Sequence, residues 1–139
     1  MKKEEERHIQ EKYTELQIIA AGLKELQKNI QAIDEQVMEV VSVVQALNDL
    51  KKVKAGTQAL VPISPGIFVN AELKDNDELL INVGANVTVK KSVEETKQML
   101  DSRMVELKNQ KQEFLKELEE LGTRAQELEE ELEALMKNV

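Results

Sequence analysis

The chain has 139 residues, 19 Lys and Arg against 27 Asp and Glu, and a formal charge of −8. That length fits one domain or one elongated module. With no Cys and with His8 as the single histidine, the sequence excludes disulfides, thiolate chemistry and His or Cys metal clusters. Aromatic residues make up 2% (Tyr13, Phe68 and Phe114), so a narrow core is expected, and the acidic balance argues against nucleic acid as a partner.

Residues 1–54 contain no Pro and one Gly, and they are rich in helix formers. The first 15 are highly charged and carry no apolar run, so no signal peptide is expected there. Leu26, Ile30, Ile33, Val37, Val40, Val44 and Leu47 alternate steps of four and three, the spacing of a coiled coil. Ile9, Tyr13 and Leu16 do the same upstream. Joining the two runs needs an extra step of three near Ile19 and Leu23, which predicts a stammer that overwinds the coil. Four successive apolar residues, Ile18 to Ala21, cannot all hide on one seam, so some are expected to be exposed. The helix is expected to end near Lys54, with Gly56 as a left-handed cap and Lys51, Lys52 and Lys54 at the negative end of its dipole.

Residues 55–91 hold both prolines and three of the five glycines. The uncharged stretch 55–71 is broken by Gly56, Pro62, Pro65 and Gly66, so no membrane span is expected. Strands are predicted over 57–63, 67–74, 78–83 and 87–91. Pro62 and Pro65 close the first strand, and the turn signals are Asp75-Asn76-Asp77 and Gly84-Ala85-Asn86. Two hairpins are marginal alone, and open strand edges invite other chains. Oligomerisation is therefore assigned to Leu60, Val61, Ile63, Phe68, Val69, Leu79, Ile81, Val83, Val87 and Val89.

In residues 92–139, Val93, Leu100, Leu107, Phe114, Leu121, Leu128 and Leu135 recur every seven residues. Lys97, Met104, Lys111, Leu118, Ala125, Leu132 and Val139 fill the companion position. Ser92 with Glu95 makes a capping box that starts this helix, which would be roughly 70 Å long. The fold class is mainly α: a long antiparallel two-helix coiled coil (1–54 and 92–139) joined by a β insert (55–91). Residues whose numbers sum to about 145 should face each other. That sets Lys111 level with Asp34, and Gly22 level with Gly122 or Thr123, where paired glycines make a locally weak segment or a place of close helix approach.

No catalytic constellation emerges. Ser92 is a helix cap, His8 a surface residue, and Glu129-Glu130-Glu131 a solvated face without a cleft. Val83-Gly84-Ala85-Asn86 lacks the dinucleotide fingerprint, and Asp75-Asn76-Asp77 lacks the calcium-loop spacing. The chain is expected to be no enzyme, with no cofactor and no metal.

Leu60-Val61-Pro62-Ile63, Gly66 through Leu73, and Ile81 through Val89 resemble the two-hairpin core of the prefoldin family, and specifically its archaeal-type alpha class. Some relatives carry a glycine where Asn86 stands, and Asn tolerates the left-handed conformation that this turn needs. The resemblance implies a cytoplasmic, ATP-independent co-chaperone. Two alpha and four beta subunits would assemble through β-barrels, hold non-native proteins at the coiled-coil tips and deliver them to a group II chaperonin. It implies neither nucleic acid nor membrane as partner. The distal apolar residues Ile9, Tyr13, Leu16, Ile19, Leu128, Leu132, Leu135, Met136 and Val139 would then be the client-binding set. The rivals are a structural coiled-coil adaptor and a filament-forming prefoldin-like protein.

Overall fold

The computed structural model describes residues 2–74 and 77–137. Val139 and the Asp75-Asn76 part of the expected turn lie outside the described residues. The element order is α1 (Lys3–Lys51), β1 (Gln58–Ser64), β2 (Ile67–Glu72), β3 (Glu78–Asn82), β4 (Thr88–Ser92) and α2 (Val93–Lys137). The chain divides into a terminal unit, Met1–Gln36 with Leu107–Val139, and a central unit, Val37–Glu106.

In the terminal unit the two helices pair antiparallel. Lys111 Nζ lies 2.7 Å from Asp34 Oδ1, and Arg124 Nε lies 3.0 Å from Glu15 Oε1. Ile19, Leu26 and Ile33 of α1 and Leu107, Leu128 and Leu132 of α2 are buried, with Leu107 and Leu128 completely inaccessible. Between them Leu16, Leu23, Ile30, Phe114, Leu118, Leu121 and Ala125 are half-buried. A seven-residue apolar repeat keeps one stripe of each helix turned to its partner, and each fully buried Leu contributes about 1.5–3 kcal/mol.

The expected stammer is absent. The inward positions of α1 run Ile9, Lys12, Leu16, Ile19, Leu23 and Leu26, which alternates threes and fours without interruption. The sequence pattern had placed Tyr13 in this stripe. The helix instead turns Lys12 inward, where its aliphatic stem lies along the seam and its ammonium reaches Glu131. Tyr13 is left 48% exposed. A polar residue occupies the inward position because the long lysine chain can leave its charge in solvent.

In the central unit Val40 and Leu47 of α1 and Val93 and Thr96 of α2 are buried. The Thr96 hydroxyl donates to the Ser92 carbonyl at 2.8 Å, which satisfies this buried polar group. Lys51 pairs with Glu94, raising the lysine pKa and lowering that of the carboxyl through their hydrogen bond. The pairs Lys51–Glu94 and Asp34–Lys111 both sum to 145, the expected register.

The capping box forms. The Glu95 amide donates to Ser92 Oγ at 3.1 Å, and the Ser92 amide donates to Glu95 Oε1 at 3.5 Å. Since β4 ends at Ser92 and α2 starts at Val93, no linker separates strand from helix. The end of α1 differs from expectation. It stops at Lys51 with tightened bonds from the Lys52 and Val53 amides to the Asp49 and Leu50 carbonyls. Gly56, at φ +89°, is not its cap. It is the third residue of a turn that the Thr57 amide closes onto the Lys54 carbonyl.

Both hairpins are antiparallel. Pro65 and Gly66 (φ +81°) join β1 to β2 in the pattern of a type II turn, whose twist matches paired strands poorly. The ladder accordingly shifts between Pro62 and Ser64, leaving Ile63 without a partner. The second turn is of type I′. Ala85 (φ 51°) and Asn86 (φ 61°) lie between Gly84 and Val87, and the Val87 amide donates to the Gly84 carbonyl at 2.9 Å. Asn86 therefore substitutes for glycine as expected, whereas Ala85 is strained by about 1 kcal/mol.

Two stability predictions follow from these backbone positions. A β-carbon on Gly22 would meet Leu121 Cδ1 at 3.4 Å, whereas one on Gly122 would meet nothing within 4 Å. Close helix approach therefore explains Gly22 only. Gly122→Ala is expected to stabilise the chain by about 0.5–1 kcal/mol and Gly22→Ala by less, measured as shifts in denaturant midpoint. Ala85→Gly is expected to relieve the turn and stabilise the chain by about 0.5 kcal/mol, raising that midpoint, while Ala85→Val lowers it.

Candidate functional site

Two surfaces stand out, one on each unit. On the central unit, the pairing register decides which side chains share a sheet face. Ala59, Val61, Val69 and Ala71 lie on one face of the β1–β2 hairpin, and Leu60, Pro62, Phe68 and Asn70 on the other. Both faces are apolar towards the turn. Leu60, Val61, Ile63, Ile67, Phe68 and Val69 are all exposed. A single chain cannot cover both sides of its own two-stranded sheet, and an apolar patch this continuous marks an interaction surface.

The β3–β4 hairpin is different. Leu79, Ile81 and Val89 share a half-buried face with Lys91. The opposite face carries Glu78, Leu80, Thr88 and Lys90, and a loose Lys90–Glu78 ion pair of 3.7 Å. Val83 and Val87 flank the turn and are exposed. The oligomerisation residues assigned from sequence thus fall into an open group (Leu60, Val61, Ile63, Phe68, Val69, Val83, Val87) and a half-buried group (Leu79, Ile81, Val89). Sequence reasoning missed Ile67 and Leu80, the latter 71% exposed. The alternation of Leu79 and Leu80 could not be resolved without the strand's phase.

The two hairpins form separate two-stranded sheets, so their outer edges have no strand partner among the described residues. Burying six exposed apolar side chains of β1–β2 would contribute on the order of 10 kcal/mol. That is comparable to the 4–15 kcal/mol or so of lost freedom that association must offset. Every additional covered strand then tips the balance towards assembly.

On the terminal unit, the expected client-binding residues separate by burial. Ile19, Leu128 and Leu132 are packed into the helix seam; Ile9, Leu16 and Leu135 are half-buried. Tyr13 and Met136 (54%) are exposed and touch each other, the tyrosine hydroxyl donating to the methionine sulfur at 3.8 Å. With Leu132 below and Glu129, Glu133 and Lys137 around them, they form a small apolar depression with a charged rim. In the apolar run at 18–21, Ile19 is buried and Ile18, Ala20 and Ala21 are exposed. The heptad phase set by Leu26 and Ile33 could have indicated this.

Next to these residues lies an ion cluster. Arg124 forks onto Glu15, with Nε–Oε1 3.0 Å and Nη2–Oε2 3.2 Å, and reaches Glu127 at 3.4 Å. Lys12 pairs with Glu131 on the same two helices. The Glu15 hydrogen bonds raise the Arg124 pKa, and the Lys12 hydrogen bond holds Glu131 below the ordinary glutamate range.

Among the described residues no group of His, Asp or Glu is arranged to hold a metal, and no helix is long and apolar enough to cross a membrane. His8 is exposed and Ser92 is engaged in its cap.

A profile described as "Prefoldin subunit" matches residues 19–138. Prefoldin subunit alpha of Thermofilum pendens is 31% identical over 115 residues, covering 83% of this chain and 89% of that one. Prefoldin subunit alpha 1 of Methanocaldococcus jannaschii is 28% identical over 125 residues, covering 90% and 85%. Prefoldin subunit alpha of Archaeoglobus fulgidus is 22% identical over 129 residues, covering 93% and 94%. Among solved structures, a filamentous prefoldin from Methanocaldococcus jannaschii superposes with a TM-score of 0.75 at 19% identity, covering 83% of this chain and 95% of that one. The two heptad helices, the paired hairpins with their uncovered faces and these matches converge: the chain belongs to the prefoldin family, as an alpha subunit of the archaeal type.

Proposed function

We propose that this subunit assembles through β1–β4 with prefoldin beta subunits, two alpha and four beta, into an ATP-independent holding chaperone of the cytosol. Its terminal unit contacts non-native proteins, which the assembly then delivers to a group II chaperonin. The observation that carries the proposal is the β1–β2 hairpin, apolar and exposed on both faces. Such a hairpin is a component awaiting strands from other subunits. Holding clients needs no bond chemistry. Weak apolar contacts at Tyr13, Ile18 and Met136, repeated on several subunits, combine by multivalency into a useful affinity. Met adapts its shape to varied apolar partners, which suits clients without a common sequence. The net charge of −8 keeps subunits with exposed apolar groups soluble.

Assembly is tested by Phe68→Asp and Leu80→Asp. Placing an unpaired carboxylate in a covered apolar face should weaken association by a hundredfold or more. Native mass should fall while helical circular dichroism persists; an unchanged mass in both variants would remove the hairpins from the interface. Client holding is tested by Tyr13→Ser with Ile18→Ser and Met136→Ser, all surface positions. The assembled mass should stay the same, and suppression of aggregation of several unrelated unfolded proteins should drop several-fold. Retained suppression would place the client contacts elsewhere. Suppression confined to one partner would favour a specific adaptor.

A further inference from the structure

In an antiparallel pair the N–H and C=O of successive residues point alternately towards the partner strand and away from it, so one bond fixes the direction of the rest. In the β1–β2 hairpin the Leu73 amide donates to the Thr57 carbonyl at 3.0 Å, and the Leu73 carbonyl accepts from the Gly56 amide at 2.6 Å. The main-chain groups of Leu73, Ala71 and Val69 therefore face β1, and those of Glu72, Asn70 and Phe68 face outward. On β1 the same alternation turns Ala59 and Val61 inward and Gln58, Leu60 and Pro62 outward. Pro62 thus costs the hairpin none of its own bonds. It removes a donor from the outer edge of β1, and its ring crowds the place of an added strand. The bulge at Ile63 follows at once and bends the same edge. Proline and bulge both blunt a strand edge, and β2 carries neither. We infer that the two edges of this hairpin are unequal: β1 is stopped at Pro62 and Ile63, and a strand of a neighbouring beta subunit adds along β2, bonding to Phe68, Asn70 and Glu72.

The stop falls where the hairpin is stickiest. Its exposed apolar side chains crowd the turn end, at Leu60, Val61, Ile67, Phe68 and Val69. A strand covering them from the β1 side meets the missing donor and the bend. A strand on the β2 side meets Phe68, Asn70 and Glu72, each offering both a donor and an acceptor. The side chains of β2 describe the partner as well. Phe68 and Val69 lie on opposite faces, so the added strand needs apolar residues on both faces at that level. Beside the exposed Glu72 it needs a basic or polar residue. Closure of a barrel against β1 would then rest on packing of Leu60 and Pro62 and not on a continuous ladder. A hairpin with two open edges could take strands on both sides without limit, whereas one open edge gives strand addition a direction.

The inference rests on the assembly proposed above, and the test separates the two. The affinity of the full chain for a prefoldin beta subunit from the same cell is measured by native mass over a titration. Asn70→Pro removes an outward donor from β2 and no bond within the hairpin, whereas Asn70→Ala removes the side chain alone. Gln58→Pro is the matching change on the outer edge of β1. Asn70→Pro should weaken the mixed assembly about ten- to hundredfold, with Asn70→Ala and Gln58→Pro within about threefold of the unchanged chain. Equal weakening by the two prolines, or none by Asn70→Pro, would overturn the inequality of the edges. In a second arm, Pro62→Val restores the missing donor and keeps the apolar surface. The variant alone, at matched concentration, should place several-fold more chain in higher-mass species than the unchanged protein does. An unchanged mass distribution would show that the proline stops nothing. If Asn70→Pro disrupts only self-association and leaves beta-subunit affinity intact, the edge belongs to a second copy and the inference fails as stated. If the unchanged chain never assembles with the beta subunit, the proposed function fails, and the Pro62→Val arm still decides whether β1 is stopped.

Discussion

A two-stranded sheet has two faces and two edges, and a helix pair can spare only so much surface to cover them. In this chain β1–β2 presents Val61 and Val69 on one face and Leu60 and Phe68 on the other, all exposed. The remaining features of the subunit are arranged around that imbalance. Strand β4 passes into α2 at Ser92 and Val93 without a linker, and the Ser92–Glu95 capping box fixes the junction. The β3–β4 hairpin is therefore anchored directly to a helix, whereas β1 is reached through a turn at Lys54–Thr57. Assembly on such a surface is governed by apolar burial and main-chain pairing, both of which tolerate sequence change as long as the alternation is kept.

The helices answer a different requirement. A stripe that is buried every seventh residue, from Ile19 through Leu47, needs only one partner helix to be satisfied. This leaves the rest of each helix free to carry charge. Specificity of alignment comes from polar residues at the seam: Lys111 meets Asp34, Lys12 meets Glu131, and Arg124 meets Glu15. None contributes much energy individually. A one-heptad slip would leave each of them without its partner, and that difference selects the register.

Much of this was legible in the sequence because periodicity is a physical signal. The α2 stripe, the capping box, the four strands and the level pairing of Lys111 with Asp34 follow from spacing and from caps that satisfy orphan amides. What was not legible lay where one side chain could take either of two roles. Tyr13 and Lys12 compete for one inward position, and apolarity favours the tyrosine. Only the geometry reveals that the lysine stem fits and its charge escapes to Glu131. Leu79 and Leu80 are chemically identical, so their division between faces depends on a strand phase that one residue reverses. Gly56 has the left-handed conformation expected of it but serves a turn five residues beyond the end of α1. Among the apolar residues expected to meet clients, the seam claims Ile19, Leu128 and Leu132 because they keep the heptad phase, and leaves Tyr13 and Met136 outside because they do not.

The claim on which the account depends is that the hairpin surface is incomplete in a single chain. Its most direct test is the native mass of the purified chain, alone and after mixing with a prefoldin beta subunit from the same cell. The account predicts a discrete assembly several times the 15.8 kDa of one chain in the mixture. A chain that stays monomeric, both alone and in the presence of the beta subunit, would contradict it.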